Sequence, residues 1–168
     1  VLAIGDLDAQ PAPAAETLGM RRVHLLTGVA AALAVVLVES IVVTYFIGTS
    51  RWCKEVSETY QLDGKFVRES TRLKRRTFPL CVIGMLTAVG IGALGAASDP
   101  GTGRPNTEDM ATIHLAASLT GACLIAWTYY RSWLNVVANQ GVIDEVMGEV
   151  RRMRQERGLD EAPRPHDR

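Results

Sequence analysis

Net charge is the first thing this chain lacks: eighteen Lys and Arg balance eighteen Asp and Glu over 168 residues. A balanced chain has no basic excess to draw it to phosphate backbones, which argues against a nucleic-acid partner. Cysteine is scarce, and Cys53, Cys81 and Cys123 follow no metal or redox spacing. They read as free thiols that behave as small apolar side chains. Enzyme signatures are missing too: there is no G-x-S-x-G, Walker loop, H-E-x-x-H, CxxC or Rossmann fingerprint. Gly90 and Gly92 flank Ile91 inside an apolar run, where they cradle no phosphate. Inverted repeats and a ladder of mid-depth polar groups, which a solitary transporter needs, are absent as well. The expectation is a chain that is not an enzyme and has no small-molecule substrate.

What the chain does have is segregation. Three runs, 23–48, 78–97 and 110–133, are almost uniformly apolar. A span needs about 20 apolar residues to cross a hydrocarbon core of about 30 Å, and all three runs are long enough. A soluble helix would show a polar face every third or fourth position, whereas between Leu25 and Val38 Thr27 is the only polar side chain. The expected fold is therefore all-α: an integral membrane protein with three transmembrane helices, an amphipathic cytoplasmic segment and a C-terminal cytoplasmic helix. Residues 1–20 form an external N-terminal arm, 21–138 the three-span membrane domain, and 139–168 a cytoplasmic helical tail. Residues 2–19 are too polar for a signal-peptide core.

The basic residues give the orientation. Eight lie between Arg51 and Arg76 and six between Arg151 and Arg168, against Arg21, Arg22 and Arg104 on the other side. Cytoplasmic flanks of spans collect Lys and Arg. This places the N-terminus outside and the C-terminus in the cytoplasm, in a multi-pass protein of a bacterial inner membrane. The segment 51–76 mixes charges with Trp52, Val56, Tyr60, Phe66 and Leu73. It reads as one or two short amphipathic helices at the lipid boundary, with a break at Thr49 and Ser50 and a turn at Asp63 and Gly64. Pro79 falls in the first turn of span two, and Asn106 or Thr107 caps span three, with Glu108 and Asp109 matching its dipole. Beyond Trp133 the helix continues, with Val142, Ile143, Val146, Val150 and Met153 at helical spacing. Pro163 and Pro165 end it.

Few residues could carry chemistry. Gly84, Ala88, Gly92 and Ala96 recur every four positions in span two, and Ala117, Ser118 and Gly121 make a similar stripe in span three. Small residues let helices approach closely in lipid, so these faces serve internal packing or a partner. Glu39 is the one acid inside a span. An ionised carboxylate there costs roughly 2.5–3.5 kcal/mol on insertion scales, so it must be protonated or paired, with Ser40, Thr44 or Thr87 as candidate partners. His24 opens span one and His114 lies one turn into span three, each with Met four positions earlier, Met20 and Met110. Imidazole and thioether together suit haem iron or copper. A chlorophyll-type pigment fits less well, because Met stands where a small residue would be expected. Both histidines could instead bond loop backbone or a carboxylate such as Asp99, which leaves the chain without a cofactor. His166 in the tail has no partner.

All ten aromatic residues, from Tyr45 and Phe46 to Trp127, Tyr129, Tyr130 and Trp133, fall on the inner side. Spans normally have Trp and Tyr at both interfaces, so the bare outer rim suggests cover by another protein. The expected function is a non-catalytic accessory or structural subunit of a larger bacterial energy-converting complex, respiratory or photosynthetic. Its partners would be other integral membrane subunits and lipids. Two competing expectations are an electron-transfer subunit binding b-type haem or copper through His24 and His114, and a proton or ion pathway through Glu39.

Overall fold

The computed structural model describes residues 15–103 and 105–159, and among these it has no strand. Helix α1 spans Ala15–Tyr60, α2 Lys65–Ala97 and α3 Thr107–Glu156, with a 3-10 turn at Pro100–Thr102 before α3. All three helices are long and apolar enough to cross a membrane. At 1.5 Å per residue they run to about 70, 50 and 75 Å, well beyond a hydrocarbon core of about 30 Å. The surplus lies at one end of the bundle, where α1 finishes, α2 begins and α3 extends to its C-terminus. We call this the charged end, because it presents the side chains from Arg51 to Arg76 and from Glu145 to Arg157.

Here the structure differs from the sequence expectation. Residues 51–76 are not separate interfacial helices. Residues 49–60 prolong α1 without a break, and 65–77 are the first turns of α2. The amphipathic pattern was real, but its apolar face packs helix against helix. Phe46, Cys53, Phe66, Leu73, Val142, Val146 and Val150 form a buried core, flanked by Trp52, Val56, Tyr60 and Ile143. Pro79 accordingly sits inside α2 rather than in a first turn, and leaves the Arg75 carbonyl without its helical donor. The helix beyond Trp133 does continue, as far as Glu156. Residues 15–20, expected as part of an arm, are helical. The rest of the arm (1–14), Arg104, Pro163, Pro165 and His166 lie outside the described residues.

Both connections follow local chemistry. Gln61 takes a left-handed backbone (φ 54°), which lets the Leu62 amide donate back to the Ser57 carbonyl at 2.9 Å. That is the bond of a Schellman cap, with Leu62 packed on the core. Asp63 Oδ1 then accepts from the Lys65 amide at 2.8 Å and starts α2, so the turn falls at Asp63 and Gly64 as expected. At the other end Asp99 Oδ1 accepts from the Gly101 amide at 2.9 Å. Asn106, at φ 65°, precedes α3 without bonding through its side chain, while Glu108 and Asp109 occupy the first turn.

Burial divides the bundle sharply. Every buried residue lies at Glu39, Ala88 or Gly121, or on the charged side of that level. Among the described residues of 18–38, 89–97 and 107–120, which make up the opposite end, none is buried.

Candidate functional site

The small-residue stripe splits at this boundary. Gly84 and Ala88 are buried. A Cβ on Gly84 would stand 2.6 Å from Glu39 Oε1 and 3.2 Å from Thr128 Oγ1, so this glycine is the space the carboxyl occupies. Gly121 does the same between α3 and α2, since a Cβ there would meet Ile91 Cδ1 at 2.6 Å and Thr87 Cγ2 at 3.0 Å. Ala117 and Ser118 are half-buried. Gly92 and Ala96 are exposed instead, and a Cβ on Gly92 would meet nothing within 4 Å.

Glu39 is fully buried against α2 and α3. None of the partners expected from the sequence holds it: Ser40, Thr44 and Thr87 each donate to a carbonyl one turn earlier in their own helix. That habit of hydroxyls in apolar helices disposes of their polarity locally. The Thr128 hydroxyl on α3 reaches Glu39 Oε1 at 3.4 Å, and Oε2 has no hydrogen-bond partner. The Cys81 thiol stands close by, with the Ser132 hydroxyl beside that thiol.

Toward the charged end a cluster of matched polar side chains surrounds a residue that the sequence pattern did not single out. Asn139 is fully buried. Its Oδ1 accepts from the Ser70 hydroxyl at 3.1 Å, and its amide donates to Tyr45 Oη at 3.2 Å and Thr49 Oγ1 at 3.0 Å. One side chain thus ties α3 to both other helices. Ser50 extends the cluster through Ser70 at 3.2 Å, and Asn135 donates to Thr77 Oγ1 at 3.0 Å one turn away. A signal for this seam was present in the sequence. Thr128, Ser132, Asn135, Asn139, Val142 and Val146 follow one another in steps of four and three, the repeat of helices wound together. The stripe starts polar and becomes apolar, so a search for apolar periodicity finds its last part alone.

At the opposite end the fold brings together the two span-end histidines. The His24 and His114 rings lie 6.2 Å apart between centroids and at 86° to each other. Gly95 on α2 backs the His114 ring, since a Cβ there would stand 3.1 Å from His114 Cε1. His114 Nδ1 is buried without a hydrogen-bond partner. Asp99 is engaged with Gly101 and bonds neither ring. Met110 is half-buried and Met20 is 70% exposed. Among the described residues no group of three His, Cys, Asp or Glu could hold a metal.

The basic residues line the outside of the charged end. Arg51 pairs with Glu55 at 2.7 Å and Arg152 with Glu149 at 3.1 Å, on well-exposed surface. Such pairs contribute about 0–1 kcal/mol and mark a water-facing surface more than a stabilising one. A shallow groove on α2 is lined by Val67, Arg68, Thr71, Arg72, Arg75 and Arg76. Cys53 and Cys81 are buried free thiols and Cys123 an exposed one. Comparison with known proteins adds no relative: no family model, no curated protein and no solved structure matches this chain.

Proposed function

We propose that this chain is a non-catalytic accessory subunit of a larger membrane complex, holding its neighbours through the end of the bundle opposite the charged one. The observation that carries this reading is that, among the described residues, half of the bundle has none buried while the other half has all that are. In lipid, apolar surface alone gives helices no reason to associate; close packing and hydrogen bonds do. Gly92 and Ala96 offer a close-approach surface that the chain itself leaves unused. All ten aromatics sit on the packed half, from Tyr45 on α1, Phe78 on α2 and Trp127 on α3 toward the charged end. The opposite rim therefore lacks its own headgroup anchors, as suits a rim covered by protein.

The Lys and Arg excess at the charged end favours a cytoplasmic position for it, with the N-terminus on the outer face of a bacterial inner membrane. An energy-converting complex, respiratory or photosynthetic, is the host class this reading prefers, because the spans hold two histidines and one buried carboxyl rather than a substrate pocket. The test is purification from its native membrane in mild detergent, with the co-purifying subunits identified. A stoichiometric complex with larger membrane subunits is expected. A monomer whose residues 98–106 label freely with aqueous reagents would refute the proposal.

A further inference from the structure

We propose that His24 and His114 together bind one transition-metal centre, as a copper ion or as the iron of a haem. Three observations carry this assignment, and it stands apart from the assembly reading. First, the spacing fits. A metal held between two opposed imidazoles at ~2.0 Å per bond leaves the ring centroids about 6 Å apart, and the observed separation is 6.2 Å. Edge-on contact between bare rings falls in the same range, so distance alone would not decide.

The second observation favours coordination over bare ring contact. Neither imidazole makes a hydrogen bond to a described residue, and His114 Nδ1 is buried without a partner. A buried polar atom left unsatisfied costs about 1–3 kcal/mol. An aromatic contact does not relieve that cost, whereas coordination occupies an imidazole lone pair and orients the ring. Third, His114 is positioned from a third helix: Gly95 leaves room that any larger residue would take from it. Ring placement of this kind on rigid elements is what a ligand pair needs.

The donor set narrows the metal. Among the described residues no carboxylate joins the pair as a third ligand, unlike the oxygen-rich sites that calcium and magnesium require. Among the described residues no cysteine joins it either, unlike closed structural zinc sites. Two imidazoles leave coordination positions that a porphyrin fills for iron, or that thioethers fill for copper. By helix register Met110 and Met20 stand one turn before each histidine, and the half-buried Met110 is the better placed of the two.

The test uses the whole chain in detergent, titrated separately with haemin and with copper. One of the two is expected to saturate at one centre per chain, haemin giving the spectrum of iron between two nitrogens. His24 is exposed, so His24→Ala leaves the packing intact. It should weaken binding by at least the roughly 10–100-fold that loss of a supporting ligand contact costs, with helicity and thermal unfolding unchanged. His114→Ala should weaken it equally. Met110→Leu distinguishes the sources, since it should weaken copper and leave haemin unaffected. Failure of both probes to saturate at one per chain would overturn the proposal. So would a His24→Ala protein that binds as tightly as the wild type.

Discussion

The charged end and the opposite end of this bundle are made of the same three helices, yet one has a core and the other has none. The difference follows from the solvent each end is built for. At the charged end, water rewards burial, and Phe46, Cys53, Phe66, Leu73 and the valines of α3 withdraw from it. Asn139, buried there, is bonded to Ser70, Tyr45 and Thr49, while Ser57 Oγ and Ser132 Oγ are buried without a partner. At the opposite end the side chains of 25–38 are apolar except Thr27 but unburied, as lipid permits. Two more unpartnered buried atoms, Glu39 Oε2 and His114 Nδ1, lie at the boundary and beyond it. The molecule is thus packed where it must hold itself together and unpacked where other helices can be received.

This contrast can be broken by substitution. Phe46 is fully buried, so Phe46→Ala should cost about 3–5 kcal/mol, measured by reversible unfolding in mixed micelles. Leu33, 65% exposed at the opposite end, should change stability by less than about 0.5 kcal/mol when replaced by Ala. Equal losses at the two positions would erase the distinction. Asn139→Leu removes three hydrogen bonds and orphans their partners, for an expected loss of about 2–3 kcal/mol at roughly 1 kcal/mol each. A neutral effect would mean that the valine core alone organises the charged end.

The small-residue stripe gives a finer test. Gly84→Ala drives a methyl group to 2.6 Å from Glu39 Oε1 and should cost about 1–3 kcal/mol by overpacking. In a Glu39→Ala background the methyl has space, and the double-mutant cycle should show favourable coupling of about 0.5–3 kcal/mol. Additive losses would place the strain elsewhere. The smallest effect is expected for Gly92→Ala, under about 0.5 kcal/mol, because nothing stands within 4 Å of its Cβ position.

Much of the fold is legible in the sequence, for reasons these residues make plain. The three apolar runs could not be water-soluble helices, and Asp63 with Gly64 could hardly be anything but a turn. What escaped was continuity. Thr49 and Ser50 read as a break because they are polar, yet Thr49 donates to the Tyr45 carbonyl within its own helix and Ser50 joins the seam. The segment after them read as interfacial because its apolar residues were matched to lipid, when their partners lie on two distant stretches of chain. Glu39 was legible as an anomaly, but its Thr128 partner was not, since helix register within one span cannot say which residue of another span faces it. Asn139 was missed for the opposite reason: a lone amide in a charged tail looks solvated until its three partners are known. The pairing of His24 with His114 was readable only as similar depth; their contact needed the fold.

The most direct measurement compares the native assembly of the wild-type chain with that of Gly92→Leu. Size and subunit content would be determined in mild detergent, alongside thermal unfolding of each purified chain. Gly92 contributes nothing to this bundle's own packing, so unfolding should be unchanged while the wild-type complex dissociates or fails to form with the leucine in place. A wild-type chain that runs as a monomer, or a Gly92→Leu chain that assembles as well as the wild type, would contradict an open end built to receive other helices.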